Sequence, residues 1–360
     1  MAKRTTLADI AKVAGVTTMT VQRALKGSGG VGDELRRRIL QIAEEMDYKP
    51  NVMASALKKG KLKVAAVLPD AESENQYYAS CLWDGLEGYV ENNSIFQIQC
   101  CKIPYERSPV NQGLAMEKML EQCGDDIDGV ISMGGDDPGF LHALKHLDDK
   151  KIPYVFIGTD YQACNRLCCV TAYNEIAGSL AADLFLNFVR RSDTGRILLT
   201  GDFSIQDQNQ NASGFEKQIK QRNGNFEIVK LSNFGTIDSV SRSLAQFLRA
   251  DMDVAGIYSC SARNTLAMCR AIDEAGKCVT AIGSDVFAEN VQLMKEGKLS
   301  AIIHKRHYDQ AYRAAQILVE YLAEKKKPVN PNEMIMPVIV MNGNIDCFIE
   351  NRQWESRYTF

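Results

Sequence analysis

The sequence predicts an all-α helix-turn-helix domain followed by an α/β body of two doubly wound lobes. Three observations carry that reading. Short segments with helical apolar spacing, broken by one glycine, fill residues 5–46. From Lys63 onward, apolar runs of strand length alternate with helical segments, as in a parallel sheet covered on both faces. That rhythm restarts after Asn174, which makes a second lobe.

Bulk properties bound the answer. A chain of 360 residues exceeds one typical domain. Its 45% hydrophobic and 24% charged residues are those of a globular protein with material for a large core. No apolar run approaches the ~20 residues needed to span a bilayer. No secretory signal is visible, so a cytoplasmic protein is expected. The 11 cysteines are odd in number, irregularly spaced and free of C-x-x-C, which favours reduced, buried thiols over a disulfide framework or a zinc site. His142 and His146 lie one helical turn apart, but no glutamate follows the first as in H-E-x-x-H. They read as part of an amphipathic helix. No metal, cofactor or catalytic residue is expected.

The net charge of -3 conceals a split. Residues 1–63 hold 13 Lys/Arg and 6 Asp/Glu, a net of +7, and the remainder is net -10. A basic arm on an acidic body points to a polyanion partner for the arm alone.

The arm is read in order. Thr6 precedes the first apolar run, with Asp9 three positions on, a capping-box-like start. Leu7, Ile10, Ala11 and Ala14 follow at helical spacing. Gly15 ends that helix, because glycine readily takes the left-handed conformation needed there. Thr17 can cap a second helix that buries Val21, Ala24 and Leu25. A glycine-rich loop leads to a third helix, opened by Asp33 and Glu34 and striped by Leu35, Ile39, Ile42 and Met46.

Two helices joined by a tight glycine-containing turn match the helix-turn-helix unit, whose second helix enters the major groove of double-stranded DNA. Here its exposed side chains are Thr17, Thr18, Met19, Gln22 and Arg23. Thr6, Thr17, Thr20 and Lys26 are candidates for phosphate. Arg23 suits guanine, Gln22 adenine, and Met19 or the Thr18 methyl a thymine methyl. The bland alternative is a three-helix bundle with an incidental polar face. The next segment, "YKPNVMASALKKGK", carries Pro50 as a helix stop and Asn51 as a cap for a short helix. Such a helix is marginal alone. Paired with a second copy over DNA it would be supported, and Ala54 and Leu57 would then face the minor groove, Leu57 as a wedge.

The order T-L-x-D-I-A-x-x-A-G-V-T-x-x-T-V, then Y-x-P-N-x-x-A-x-x-L, resembles the lac/galactose repressor family of bacterial regulators. The resemblance extends to the body, which looks like periplasmic sugar-binding proteins. It implies a DNA-binding domain at 1–49, a hinge helix at 50–61 and an effector-binding and dimerisation domain at 62–360. In such proteins the chain crosses between lobes three times, here expected near Ala172, Ser300 and Lys327. The N-lobe would then hold about 62–171 plus 300–327, and the C-lobe about 172–299 plus 328–360. The family usually has serine where Gln22 stands, a serine–threonine pair near Gly32 and Leu35, and arginine at Ser55. These departures bear on the operator sequence.

In the body, "KVAAVLP", "FQIQCC", "DGVISMG", "PYVFIG" and "CCVT" read as strands of one lobe. "RILLTG", "FEIVKL", "VAGIYS" and "VTAIGSD" read as strands of the next. "SAIIHK", a long helix from Tyr308, "PVIVMN" and "IDCFIE" close the chain. Two such lobes place ligands in the cleft at the carboxyl ends of their strands.

The cleft candidates follow. "NQYY" stands where sugar-binding relatives carry N-P-F-F, so Tyr77 or Tyr78 can stack on a sugar face. Asp136, Asp160 and Asp285 end strands and can accept from hydroxyls, and Asn174 sits at the first crossover. The resemblance places Asn211 at the arginine of R-x-x-G-F and Lys305 at a glutamine. A lysine there is a point charge rather than a fork, which suggests an acidic or derivatised sugar as effector. Asp136 and Asp137 could form a general acid–base pair, but no nucleophile accompanies them, and G-x-S-x-G, G-x-x-x-x-G-K-[ST] and G-x-G-x-x-G after a strand are absent.

The expected function is a homodimeric, ligand-responsive regulator on a pseudo-palindromic operator, a repressor of carbohydrate-utilisation genes. The alternatives are a small-molecule binding protein without operator function, a regulator sensing a non-sugar metabolite, or a sugar-processing enzyme.

Overall fold

The computed structural model describes residues 5–25, 29–46, 48, 60–72, 76–106, 108–189, 195–222, 225–232, 235–250 and 253–350. The first helix, α1 (Leu7–Ala14), opens on a capping box. The Thr6 hydroxyl accepts from the Asp9 N–H and the Asp9 carboxylate accepts from the Thr6 N–H. It ends at Gly15, left-handed at φ 68°, where the cap N–H bonds Ala11 O. In α2 (Thr18–Leu25) the Thr17 hydroxyl accepts from the Thr20 N–H at 3.2 Å. The third helix, α3 (Asp33–Glu45), places Asp33 and Glu34 in its first turn, where carboxylates oppose the helix dipole. Ile10, Val21, Ala24, Ile39 and Ile42 form one small core between the three. The hinge helix expected at 50–61 falls almost entirely outside the described residues, and Lys26, Ala54 and Leu57 lie outside them too.

The first lobe of the body begins with β1 (Lys63–Pro69), buried along nearly its whole length. Then follow α4 (Gln76–Asn92), β2 (Gln99–Tyr105), α5 (Pro109–Cys123), β3 (Gly129–Ser132), α6 (Pro138–Lys150), β4 (Tyr154–Ile157) and β5 (Cys168–Ala172). The second lobe runs through α7 (Asn174–Phe188), β6 (Gly195–Gly201), α8 (Gln206–Gln221), β7 (Phe226–Ser232), α9 (Ile237–Ala250) and β8 (Val254–Ser259). It continues with α10 (Ala262–Ala275), β9 (Thr280–Ser284), α11 (Ala288–Lys295) and β10 (Ala301–His304). Last come α12 (His307–Glu324), β11 (Asn332–Ile335), β12 (Val338–Val340) and α13 (Ile345–Glu350).

Two six-stranded sheets result, in the orders β11-β5-β4-β3-β1-β2 and β12-β10-β9-β8-β6-β7. Among the described residues every pairing is parallel except β12 with β10. The strand order reverses between β1 and β3, and again between β6 and β8. These are the switch points at which doubly wound sheets open a crevice. Each sheet separates two apolar clusters, so helices cover both faces of both sheets.

The first crossover falls at Tyr173, between β5 and α7. The other two differ from the sequence reading. β10 stays in the second sheet beside β9, and the chain crosses only at Lys305–Arg306, not near Ser300. The four residues of β10 are fully buried there, whereas α12 packs its Ala311, Ala314 and Leu318 face into the first lobe. β11 then joins β5 in the first sheet, and the last crossover lies at Met336–Pro337 rather than Lys327. The segment "NEMI" is only partly buried and has no apolar run, so its strand character comes from pairing with β5. One smaller difference is in "FQIQCC": Phe96 sits in a single 3₁₀ turn, and the strand starts at Gln99.

Helices α7 and α8 cross at two glycines. A Cβ on Gly178 would stand 1.9 Å from Asn211 O, and one on Gly214 1.9 Å from Glu175 O. Backbone faces backbone at both places, so neither helix can yield alone. Gly178→Ala is therefore expected to overpack the second lobe by about 3 kcal/mol. A lowered denaturant midpoint at unchanged slope would register this; an unchanged midpoint would refute the close crossing.

Candidate functional site

The first candidate surface is the solvent edge of α2. Val21 and Ala24 are buried, which turns Thr17, Thr18, Met19, Gln22 and Arg23 outward. Met19 is 61% exposed, which leaves its apolar side chain open to a partner. The hydroxyls of Thr6, Thr17 and Thr20 are engaged in caps, Thr17 with Thr20 at 2.9 Å and Thr6 with Asp9 at 2.6 Å. The sequence-predicted phosphate contacts at these threonines thus sit at two helix starts, where unpaired backbone N–H groups also point outward.

The second candidate is a cavity of about 590 Å³ between the lobes. Four of the sequence-predicted residues line it: Tyr77, Tyr78, Asp136 and Asp160. Tyr77 and Tyr78 belong to the first turn of α4. Asp136 is solvent-exposed in the loop after β3. Asp160 follows β4 and is gripped by the buried Arg166 guanidinium through two bonds of 2.5 and 2.6 Å. That fork neutralises Asp160 and fixes its orientation. From the other lobe come Ser204 and Gln206 before and in α8, and Ser261 and Arg263 at the start of α10.

Asn174 lines a smaller pocket that adjoins the cavity, together with Asp207 and His307. Asn211, Asp285 and Lys305 line neither space. Asn211 is fully buried, and its amide oxygen accepts from the Tyr258 hydroxyl at 2.7 Å. Lys305, expected as a cation for the ligand, is 4% exposed. Its ammonium donates to Cys260 O at 3.2 Å and stands 3.4 Å from Asp285. Asp285 and Lys305 thus face each other at the crossover, and Asn211 faces Tyr258, instead of the cleft.

The sequence reading also missed contributors to the wall. Gln112, on α5, is held by a bond from Nε2 to Met133 O at 2.8 Å. Ser261 caps α10 and brings Arg263 to the wall. The signal for Ser261 was available, since "YSCSAR" is a strand end followed by a capping serine. Gln112 and Tyr105 are visible only once β2 and α5 are folded against β3.

The Asp285 cluster has its own electrostatics. Burial alone would raise the Asp285 carboxyl. The Lys305 ammonium, then His307 and His304, outweigh that and hold it well below the usual carboxylate range. His307 Nε2 lies 3.2 Å from Oδ2, and the Lys305 N–H donates to Oδ1 at 3.0 Å. Burial also pushes the Cys260 thiol up to about 12, so it is a packed thiol and not a nucleophile. Among the described residues no group of three or more His, Cys, Asp or Glu side chains is placed to hold a metal ion. No described helix is long and apolar enough to cross a membrane.

Residues 50–327 match the model of the periplasmic binding protein domain, and residues 6–51 match that of bacterial regulatory proteins of the lacI family. The chain belongs to the periplasmic binding protein domain family, with a lacI-family regulatory domain ahead of it. It is 26% identical over 220 residues to the HTH-type transcriptional regulator DegA of Bacillus subtilis, covering 61% of each chain. It is 21% identical over 336 residues to catabolite control protein A of Staphylococcus epidermidis, covering 92% of this chain and 96% of that one. The match to DegA thus spans about three fifths of that relative. The solved structure of GanP, a glucose-galactose binding protein from Geobacillus stearothermophilus, superposes with a TM-score of 0.67 at 19% identity, over 79% of this chain and 99% of that one. At that identity the likeness shows the fold alone, with a cleft between two lobes.

Asp285→Asn leaves the buried Lys305 ammonium without its counter-charge. Breaking such a pair is expected to cost about 3–5 kcal/mol at neutral pH. Because the folded-state pKa of Asp285 is depressed, its contribution is present above the unfolded value near pH ~4 and is lost as pH falls through the folded one. The gap between wild type and variant should therefore narrow in acid. Denaturation midpoints measured from pH 7 downward check this; a gap that widens in acid would refute the assignment.

Proposed function

We propose that the chain is a ligand-responsive, sequence-specific DNA-binding transcriptional regulator, acting in the cytoplasm as a repressor of carbohydrate-utilisation genes. The observation that carries this is the division of α2. Its inner face is packed by Val21 and Ala24, while its first turn and a half presents Met19, Gln22 and Arg23 to solvent. A helix so divided, on an arm of net charge +7, suits the major groove. The body supplies the sensing half. Tyrosines, amides, serines and carboxylates around the cleft are the groups that bind a hydroxyl-rich ligand, with rings for its apolar face and acceptors for its edge.

Relatives named as the ribose operon repressor of Haemophilus influenzae and the regulator MalR of Streptococcus pneumoniae support a sugar or sugar derivative as effector. Lys305 gives no reason for an acidic sugar, because its charge is used internally by Asp285. A homodimer on a pseudo-palindromic operator follows from the half-site logic of one recognition helix per chain. A ligand-binding protein without operator function would leave the exposed edge of α2 without a role. A sugar-processing enzyme would need a nucleophile or a paired acid and base. Here Asp160 is neutralised by Arg166, and Asp137 caps α6 by accepting from the Gly139 N–H.

The test is selection of duplexes from a random library by the full chain, followed by titration of the enriched sequence. Binding should weaken with salt at a log–log slope of about -0.9 per neutralised phosphate. Arg23→Ala should lose about 1–3 kcal/mol and relax preference at one base pair. Failure to enrich any sequence would overturn the regulator reading. A thermal-shift screen of sugars tests the cleft separately, since a ligand raises the melting point with its concentration over Kd.

A further inference from the structure

Consecutive tyrosines open α4 and line the cleft, and the first of them reaches across it. The Tyr77 ring packs on Phe287 at a centroid separation of 4.4 Å, and its hydroxyl donates to Glu289 Oε1 at 3.2 Å. The Tyr78 ring meets the His307 ring edge-on at 4.6 Å, and His307 in turn lies 3.2 Å from the Asp285 carboxylate. Tyr77, Tyr78 and His307 belong to the first lobe. Asp285, Phe287 and Glu289 belong to the second, on one short segment that leaves β9 and enters α11.

That segment is built to move as a unit. Asn290 Nδ2 donates to both Ser284 O and Asp285 O, at 3.1 and 2.9 Å. Asp285 itself is left-handed at φ 64°, a conformation that a non-glycine residue holds only when its surroundings impose it. Its N–H donates to Ile303 O, and its carboxylate accepts from Lys305 N–H, so the loop is anchored to β10 at the crossover. Tyr77 meets this segment directly, whereas Tyr78 meets it only by way of His307 of its own lobe.

We propose that Tyr77 forms a lock between the lobes, seated on Phe287 and Glu289, through which filling of the cleft sets the lobe angle. The proposal rests on the reading that the cleft receives a ligand. It adds the route by which the ligand is felt. A ligand against the Tyr77 ring competes with or reinforces a contact that already holds the 285–289 segment. Tyr77 is thus a positioning residue for the second lobe as well as part of the binding wall. A tyrosine that only packed the wall would leave that segment's motions unchanged when removed.

The experiment uses the full chain without ligand or DNA. Hydrogen exchange is followed by mass spectrometry and the radius of gyration by X-ray scattering, in wild type, Tyr77→Ala, Tyr77→Phe and Glu289→Ala. Tyr77→Ala should speed exchange across Val286–Val291 by about ten-fold and raise the radius of gyration, while the core amides of β9 stay unchanged. Tyr77→Phe keeps the ring contact and loses only the bond to Glu289, so it and Glu289→Ala, at an exposed site, should fall between. Wild-type exchange of Val286–Val291 in Tyr77→Ala and Glu289→Ala would overturn the lock. Operator selection is read separately, so its failure would remove the regulator reading without touching this result.

Discussion

The placement of the second lobe on the first depends on one buried carboxylate. Asp285 lies at the end of β9 in the second lobe, and its partners Lys305 and His307 flank the crossover into the first. A desolvated carboxylate demands partners of the opposite charge or strong donors. Meeting that demand holds β10, the crossover and the start of α12 in one geometry. Arg306, between the two partners, is left-handed at φ 57° and is tied to Asp309 at 2.6 Å. Gln310 donates to Lys305 O at 2.8 Å, which fastens the first turn of α12 to the same point. The cleft chemistry follows from this arrangement. Since Asp285 and Lys305 bond each other and Asn211 is turned to Tyr258, the cavity wall is left to the residues in front of them: tyrosines, Asp136, and the helix starts carrying Ser204, Ser261 and Arg263.

Much of the architecture was legible in the sequence because it rests on local rules. Buried parallel strands write themselves as apolar runs, as in β1 and β8, and glycine at φ 68° ends α1 where a left-handed residue is required. The capping box at Thr6 and Asp9 is local too, and it forms as read. What was not legible is what depends on partners remote in the chain. β11 has no apolar run and becomes a strand only beside β5, about 160 residues earlier. The lobe to which β10 belongs is set by β9 and β12 and not by its own residues. The same limit applies to the site. Asp136 and Tyr77 line the cavity, and strand ends and the first turn of a helix can be placed from sequence. Whether Lys305 faces a ligand or a carboxylate depends on a neighbour twenty residues away.

The two halves of the molecule meet water and partners in opposite ways. In the arm, small helices with a minimal core keep polar and basic side chains outside, and cap their ends with threonine hydroxyls. In the body, two carboxylates near the cleft are held by neighbours, Asp160 by Arg166 and Asp137 by the Gly139 N–H. A site prepared in this way loses little freedom when it binds, because its donors and acceptors are already oriented.

The connection between the halves limits how a signal can travel. The arm enters the body at Leu62 and β1, a central strand buried on both faces and paired with β2 and β3 along its length. The strand spans about 20 Å at about 3.3 Å per residue, from the arm to the carboxyl end that faces the cleft. A strand so packed does not stretch or slide, since a one-residue slip would turn its apolar side chains to the wrong faces. Filling the cleft therefore has no path to the arm through β1 itself. What remains free to change is the angle between the two lobes about three short crossovers. In such a molecule the residues that hold the lobe angle, more than those that touch the ligand, decide whether binding is felt at the DNA-facing end.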